Sequence, residues 1–271
     1  MKELERKLDR LINILKDCGK VLVAFSGGVD STLLLKVVRD ILGERVLAVT
    51  ATSEIYPPGE VDEAKALADA IGTKHIVLKT NGLRSAAFRG NPPDRCYHCK
   101  KEIYTAMLRI AGEKGASHVF DGVNADDAED YRPGLRAGKE LGVRSPLREA
   151  GITKQEIYAL SRQFALPTAY KPATPCLATR FPYGAEISLE SLVMVHQAEE
   201  YLKNLGIGQL RVRHHDNLAR IEVPPECFNV LLERAGEVAA RFKEIGYAYT
   251  ALDLQGFRSG SMDEAIREGA F

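Results

Sequence analysis

The sequence predicts an α/β protein, a doubly wound parallel sheet followed by a small C-terminal α+β domain. Three observations carry this. Short apolar runs alternate with helical stretches through the first half of the chain. A glycine-rich string, SGGVDS, joins the first apolar run to the helix after it. Near residue 180 the pattern changes to long helices and a pair of alternating runs.

The elements follow in order. Leu4, Leu8, Leu11, Ile12 and Leu15 recur at helical spacing, so the N-terminus is an amphipathic helix. KVLVAF suits a buried parallel strand, and TLLLKVVRDIL a helix. RVLAVTA is a second strand, EVDEAKALADAIG a helix closed by glycine, and HIVLKT a third strand. A loop rich in Gly, Pro and Arg precedes a helix through KKEIYTAMLRIAGEKG. SHVFDG is a fourth strand and VRSPL a fifth. Thr153 and Glu156 have capping-box spacing, and Pro167 ends the helix they start. Ser188 caps the next helix. LRVRHH and ARIEVP form a hairpin about HDNL, and YAYTALDL is a last strand in an antiparallel sheet. The expected domains are 1–180 and 181–271.

With 271 residues, 45% hydrophobic and 27% charged, the composition is that of a soluble globular protein. Lys plus Arg and Asp plus Glu are both 37, which argues against a nucleic-acid partner. No run approaches the ~18 apolar residues of a membrane helix. The charged N-terminus has no signal-peptide core, so a cytoplasmic protein is expected.

Ser26-Gly27-Gly28-Val29-Asp30-Ser31, between strand and helix, is a pyrophosphate cradle. Two glycines let the backbone approach an anion, and the helix offers unpaired N–H groups and a positive dipole end. The hydroxyls of Ser26 and Ser31 can donate to phosphate, while Asp30 can brace the loop or help hold Mg2+. The string matches the PP-loop of ATP pyrophosphatases and lacks the Gly-Lys-Ser/Thr of a Walker loop. That resemblance implies ATP cleaved between its α and β phosphates. Adenine is expected at the end of the second strand, at Thr50, Ala51 and Thr52 through backbone groups. Asp121, Asn124, Asp126 and Asp127 follow the fourth strand at the same edge. Asp127 is the candidate there for ligating Mg2+ or bracing the nucleotide.

The cysteines are Cys18, Cys96, Cys99, Cys176 and Cys227, an odd number that suggests no disulfide framework. Cys96 and Cys99 share one face at a helix start, among Arg95, Lys100 and Lys101. Taken alone, this pair is a redox couple, half a zinc site with His98 as a further ligand, or simply two cysteines. Cys176 sits in a loop after Pro175. Cys18 and Cys227 read as small buried residues.

SGGVDS, RCYHCKKEIY, DGVNADDAEDYRPGLRA, RSPL, KPATPCLATRFPYG and LRVRHHDNLARIEV occur in this order and together resemble the LarE family of ATP-dependent sulfur transferases. The resemblance implies an adenine nucleotide alpha hydrolase-like fold. It implies adenylation of a carboxylate of pyridinium-3,5-biscarboxylic acid mononucleotide, then displacement of AMP by sulfur to give a thiocarboxylate. This chemistry belongs to biosynthesis of the nickel-pincer nucleotide cofactor of lactate racemase. Members without the cysteine pair spend their own cysteine at the position of Cys176. Members with it are expected to hold a [4Fe–4S] cluster, here on Cys96, Cys99 and Cys176, and to transfer an extra sulfide. The implied catalytic residues are Cys176, Asp30 and Arg180. Arg180, Arg211 and Arg213 are candidates for substrate oxyanions, with Glu200 and Glu222 to orient them or ligate a metal. A homo-oligomer is implied, with sulfide or a cysteine desulfurase as sulfur source. His214 and His215 are adjacent on a strand and point opposite ways, so they do not share a ligand. Three other readings are a tRNA-thiolating enzyme, an amide-forming synthetase and a nucleotide-binding regulatory module. The first wants a basic surface, the second does not need three cysteines, and the third would release no pyrophosphate.

Overall fold

The computed structural model describes residues 2–128, 133–172, 174–258 and 260–263. Residues 129–132 of the DGVNADDAEDYRPGLRA string and Ala173 lie outside these. The chain divides into two compact units, Met1–Asn81 with Asp94–Thr174, and Gly82–Pro93 with Pro175–Phe271. The division expected after residue 180 is a single cut, whereas the second unit also takes in the loop ahead of the cysteine pair.

In the first unit α1 (Lys2–Lys16) leads to β1 (Val21–Ala24), α2 (Val29–Leu42), β2 (Val46–Thr52), α3 (Glu60–Ile71) and β3 (Lys74–Lys79). The chain then supplies the second unit with α4 (Ala86–Arg89). Asn91, at φ 50°, buries its amide there and donates to the Pro182 carbonyl at 2.6 Å. The first unit resumes with α5 (Arg95–Lys114), β4 (His118–Phe120), α6 (Pro133–Glu140), α7 (Pro146–Glu149) and α8 (Lys154–Gln163).

The sheet order is β3-β2-β1-β4, every pair parallel. Val21 and Val23 of β1 face a core with Leu33, Leu34, Val37 and Val38 of α2 and Leu11 and Leu15 of α1. Leu22 faces the opposite core, with Ile103, Tyr104, Met107 and Ala111 of α5. This alternation is what helices on both faces require. The strand order reverses about β1, so the loop after β1 lies at the switch point of the sheet.

The fifth strand shrinks to one parallel bridge between Phe120 and Arg144. Pro146 has no N–H for a ladder and starts α7 instead. Thr153 and Glu156 form the expected capping box, and Glu156 also accepts from Lys7 of α1 at 2.8 Å.

In the second unit α9 (Leu189–Asn204) is capped by Ser188. β5 (Arg211–His215) and β6 (Leu218–Glu222) form the antiparallel hairpin, with Asp216 at φ 52° in its turn. Then come α10 (Phe228–Glu233), α11 (Ala235–Ile245) and β7 (Tyr249–Leu252). The sheet is mixed rather than antiparallel, because β7 pairs parallel to β6. The two intervening helices carry the chain back to the starting end of β6, as a parallel crossover must. Among the described residues no helix is long and apolar enough to cross a membrane.

Leu34 is fully buried, so Leu34→Ala should cost about 2–5 kcal/mol in urea unfolding. Leu189→Ala, on the exposed face of α9, should stay within about 0.5 kcal/mol.

Candidate active site

The loop after β1 is built for a close approach to an anion. Gly27 has φ 71°, and a Cβ there would stand 3.3 Å from that of Ala64. The positive φ calls for glycine, and the tight approach to Ala64 leaves little room for a side chain. Gly28 occupies the N-cap of α2 without a side-chain cap bond, so the first amides of α2 point outward for a ligand. The serine hydroxyls fold the loop. Ser31 Oγ donates to the Gly28 carbonyl at 3.1 Å, and Gly28 N donates to Ser26 Oγ at 3.3 Å. Gly122, after β4, passes so near that a Cβ would meet Ser31 N at 3.0 Å.

Asp30 is held from outside the loop. Asn124 Nδ2 donates to one oxygen at 3.0 Å and Lys154 Nζ to the other at 2.5 Å. Asn124 Oδ1 accepts from the amides of Asp126 and Asp127, while Asp127 Oδ2 accepts from the Asn124 amide at 2.9 Å. Asp126 Oδ2 accepts from the Lys154 amide at the start of α8. Asp127 therefore braces the turn that aims Asn124. Lys154 escaped the sequence reading, which saw only a capping box in TKQE. The available signal was a cation in the first turn of a helix, the wrong end of its dipole.

Beside the loop lies a largely apolar cleft. Ala24, Phe25, Ser26, Val49, Thr50, Ala51, Tyr56, Glu60, Val61, Lys100, Ile103, Tyr104 and Met107 line it. Thr50 and Ala51, where adenine is expected, line this cleft, and α5 adds a wall that the sequence did not indicate. Thr50 Oγ1 donates to the Phe25 carbonyl at 2.6 Å, so it accepts from His75 Nε2 at 2.7 Å and sets that tautomer. Burial lowers the pKa of His75. Thr52 ends β2, its carbonyl accepting from Thr80 N. Tyr104 OH donates to Asp121 at 3.0 Å, and burial pushes its pKa up to about 12.

Cys96 and Cys99 occupy the first turn of α5, the former exposed and the latter half-buried. His98 Nε2 stands 3.3 Å from Asp94, and Lys101 is engaged by Tyr97 and Glu140. Among the described residues no three His, Cys, Asp or Glu side chains are grouped to hold a metal.

In the second unit Cys176 stands directly ahead of a 3-10 turn, Leu177–Arg180. Arg180 is 1% exposed and forms a bidentate pair with Glu199, both bonds 2.8 Å. The sequence reading named Glu200 for this task. That residue faces out and pairs with Lys203 at 2.6 Å. One residue is 100° of helix, enough to exchange a buried position for a solvated one. Glu222, fully buried, holds Arg213 at 2.7 Å and accepts from Ser261 Oγ at 2.8 Å. Arg211 is half-buried with its guanidinium 5.2 Å from the ring of Phe257. Burial first, then the charge of Arg180, push its pKa down to about 10. His214 meets Tyr247 OH at 3.2 Å while His215 Nε2 accepts from Arg220, so the two do diverge.

Comparison with known proteins places the chain in a family. A family model described as asparagine synthase matches residues 4–102. An uncharacterized protein of Synechocystis is 44% identical over 265 residues, 97% of this chain and 99% of its own. The pyridinium-3,5-bisthiocarboxylic acid mononucleotide synthase of Lactiplantibacillus plantarum is 39% identical over 267 residues, 98% of this chain and 97% of its own. A tRNA-specific 2-thiouridylase of Rickettsia africae is 25% identical over 203 residues, 60% of this chain. With similarity running the length of both chains and an open-ended helix behind SGGVDS, the protein belongs to the LarE family of PP-loop ATP-dependent sulfur transferases.

Proposed function

We propose that this chain uses ATP to adenylate a carboxylate of pyridinium-3,5-biscarboxylic acid mononucleotide and then replaces AMP with sulfur. The product is a thiocarboxylate for a nickel-pincer nucleotide cofactor. The observation that carries this reading is the near full-length similarity to the Lactiplantibacillus synthase. The more distant 2-thiouridylase and the zero net charge weigh against a tRNA substrate.

A substrate carboxylate oxygen attacks the α phosphorus, the bond to the bridging oxygen breaks, and pyrophosphate departs with the electron pair. Outward amides of residues 29–31 receive the negative charge. Ser26, Gly27, Gly28 and Ser31 shape the cradle, Asp30 and Asp127 brace it, and Ala51 meets adenine. Mg2+ would accompany the phosphates. A sulfur nucleophile then attacks the acyl carbon and AMP leaves with its phosphate oxygen. Arg211 binds a substrate oxyanion, being a partly desolvated cation near two further arginines.

Cys96, Cys99 and Cys176 are the thiolates we assign to a [4Fe–4S] cluster, which when bound would leave one iron able to carry sulfide. The support is the donor chemistry, two thiols on one helix turn and a third directly ahead of a turn. Sulfide or a cysteine desulfurase would replenish the sulfur. The enzyme would act as a cytoplasmic homo-oligomer.

ATP with the biscarboxylate substrate should release pyrophosphate and AMP. Absence of both would sink the reading. Lys154→Met should lower kcat for pyrophosphate release about 10- to 100-fold by freeing Asp30. Purified without oxygen, the chain should carry about four irons, lost in Cys176→Ala. No iron even after reconstitution would overturn the cluster assignment and make Cys176 a consumed sulfur donor.

A further inference from the structure

Whether as a cluster thiolate or as a sulfur donor, Cys176 acts through a main chain that must be aimed, and the second unit contains a device that holds it. The inference rests on the function proposed above. The Cys176 carbonyl accepts from Thr179 N at 3.1 Å, Thr179 Oγ1 at 3.0 Å and Arg180 Nη1 at 3.1 Å. The same Nη1 reaches the Pro175 carbonyl and Thr179 Oγ1, each at 2.9 Å. The other edge of this guanidinium is taken by Glu199, whose Oε1 also accepts from Val212 N on β5 at 3.1 Å. The far end of the turn is tied as well. The Thr179 carbonyl accepts from Arg213 Nη1 at 2.9 Å, and Glu222 and Ser261 hold Arg213 in turn.

Both guanidiniums are buried, at 1% and 4% exposure. Burying charge costs several kcal/mol per ion, so such pairs are a poor way to obtain stability alone. A planar fork of five donors does what apolar packing cannot, fixing the direction of several carbonyls at once. The donors of Arg180 are committed to Glu199 and to the turn. A substrate phosphate could take them only by breaking these bonds.

We propose that Arg180 and Arg213, seated by Glu199 and Glu222 and relayed through Thr179, are positioning residues that clamp the main chain of Cys176, and that the Arg180 guanidinium, its donors all committed, does not bind substrate.

The test compares the full chain with Thr179→Val, Arg180→Lys and Arg213→Lys. One readout is the rate of iodoacetamide alkylation at Cys176, followed by peptide mass. It needs no turnover, so it decides the clamp even if the parent chain forms no thiocarboxylate. The other separates kcat from KM for pyrophosphate release and for thiocarboxylate formation. Thr179→Val keeps the side-chain shape and serves if an arginine variant fails to fold. In all folded variants alkylation should rise about fivefold as the turn loosens. In an active parent, thiocarboxylate kcat should fall about tenfold with KM for substrate unchanged. A KM for substrate raised about tenfold with kcat unchanged, in either lysine variant, would make that arginine a substrate ligand and overturn the proposal. Unchanged alkylation in Thr179→Val would overturn it too.

Discussion

The helix end behind β1 must stay open. A helix normally closes its first amides with a side-chain cap, but here Gly28 occupies that position and no side chain answers. The open end faces the site because the strand order reverses about β1. Close packing then imposes glycine at the points of nearest approach, Gly27 against Ala64 and Gly122 against Ser31. Leaving donors unpaired costs stability, and the cost is offset by two apolar faces packed around β1.

Around that opening, charge is arranged to hold shape. Asp30 would add a negative charge where phosphates must come. Lys154 neutralises it, and Asn124 fixes the carboxylate plane. Asn124 is itself aimed by the Asp126 and Asp127 amides, and Asp126 also caps α8. A few short bonds thus tie the loop after β1 to the loop after β4 and to a third helix. The second unit shows the same economy. Two buried carboxylates each seat an arginine, and Nη1 of each arginine reaches carbonyls of one short turn.

Several features were legible in the residues because their causes are local. SGGVDS is a strand–turn–helix junction whose glycines state their own backbone need. Thr153 with Glu156, and Ser188 at the start of α9, name their helix starts. Arg211 to His215 and Leu218 to Glu222 pair across a turn, with the register set by that turn. Other features were misread for want of a distant partner. VRSPL has strand composition, but only a single bridge to Phe120 forms before Pro146 turns the chain. The direction of β7 depends on which end of β6 the helices return to, and β propensity carries no direction.

The sequence by itself determined the parallel sheet of the first unit, the anion-ready loop, the helix starts and the kinship that points to sulfur chemistry. Each follows from periodicity, turn chemistry or motif within a few residues. Tertiary structure alone decided which charges meet. Lys154 reaches Asp30 across 124 positions of chain. Glu199, not its neighbour, faces Arg180 because α9 turns that side to the core. Hydrogen bonds and ion pairs act over a few ångströms of space, and chain distance says nothing about that separation until the fold has closed.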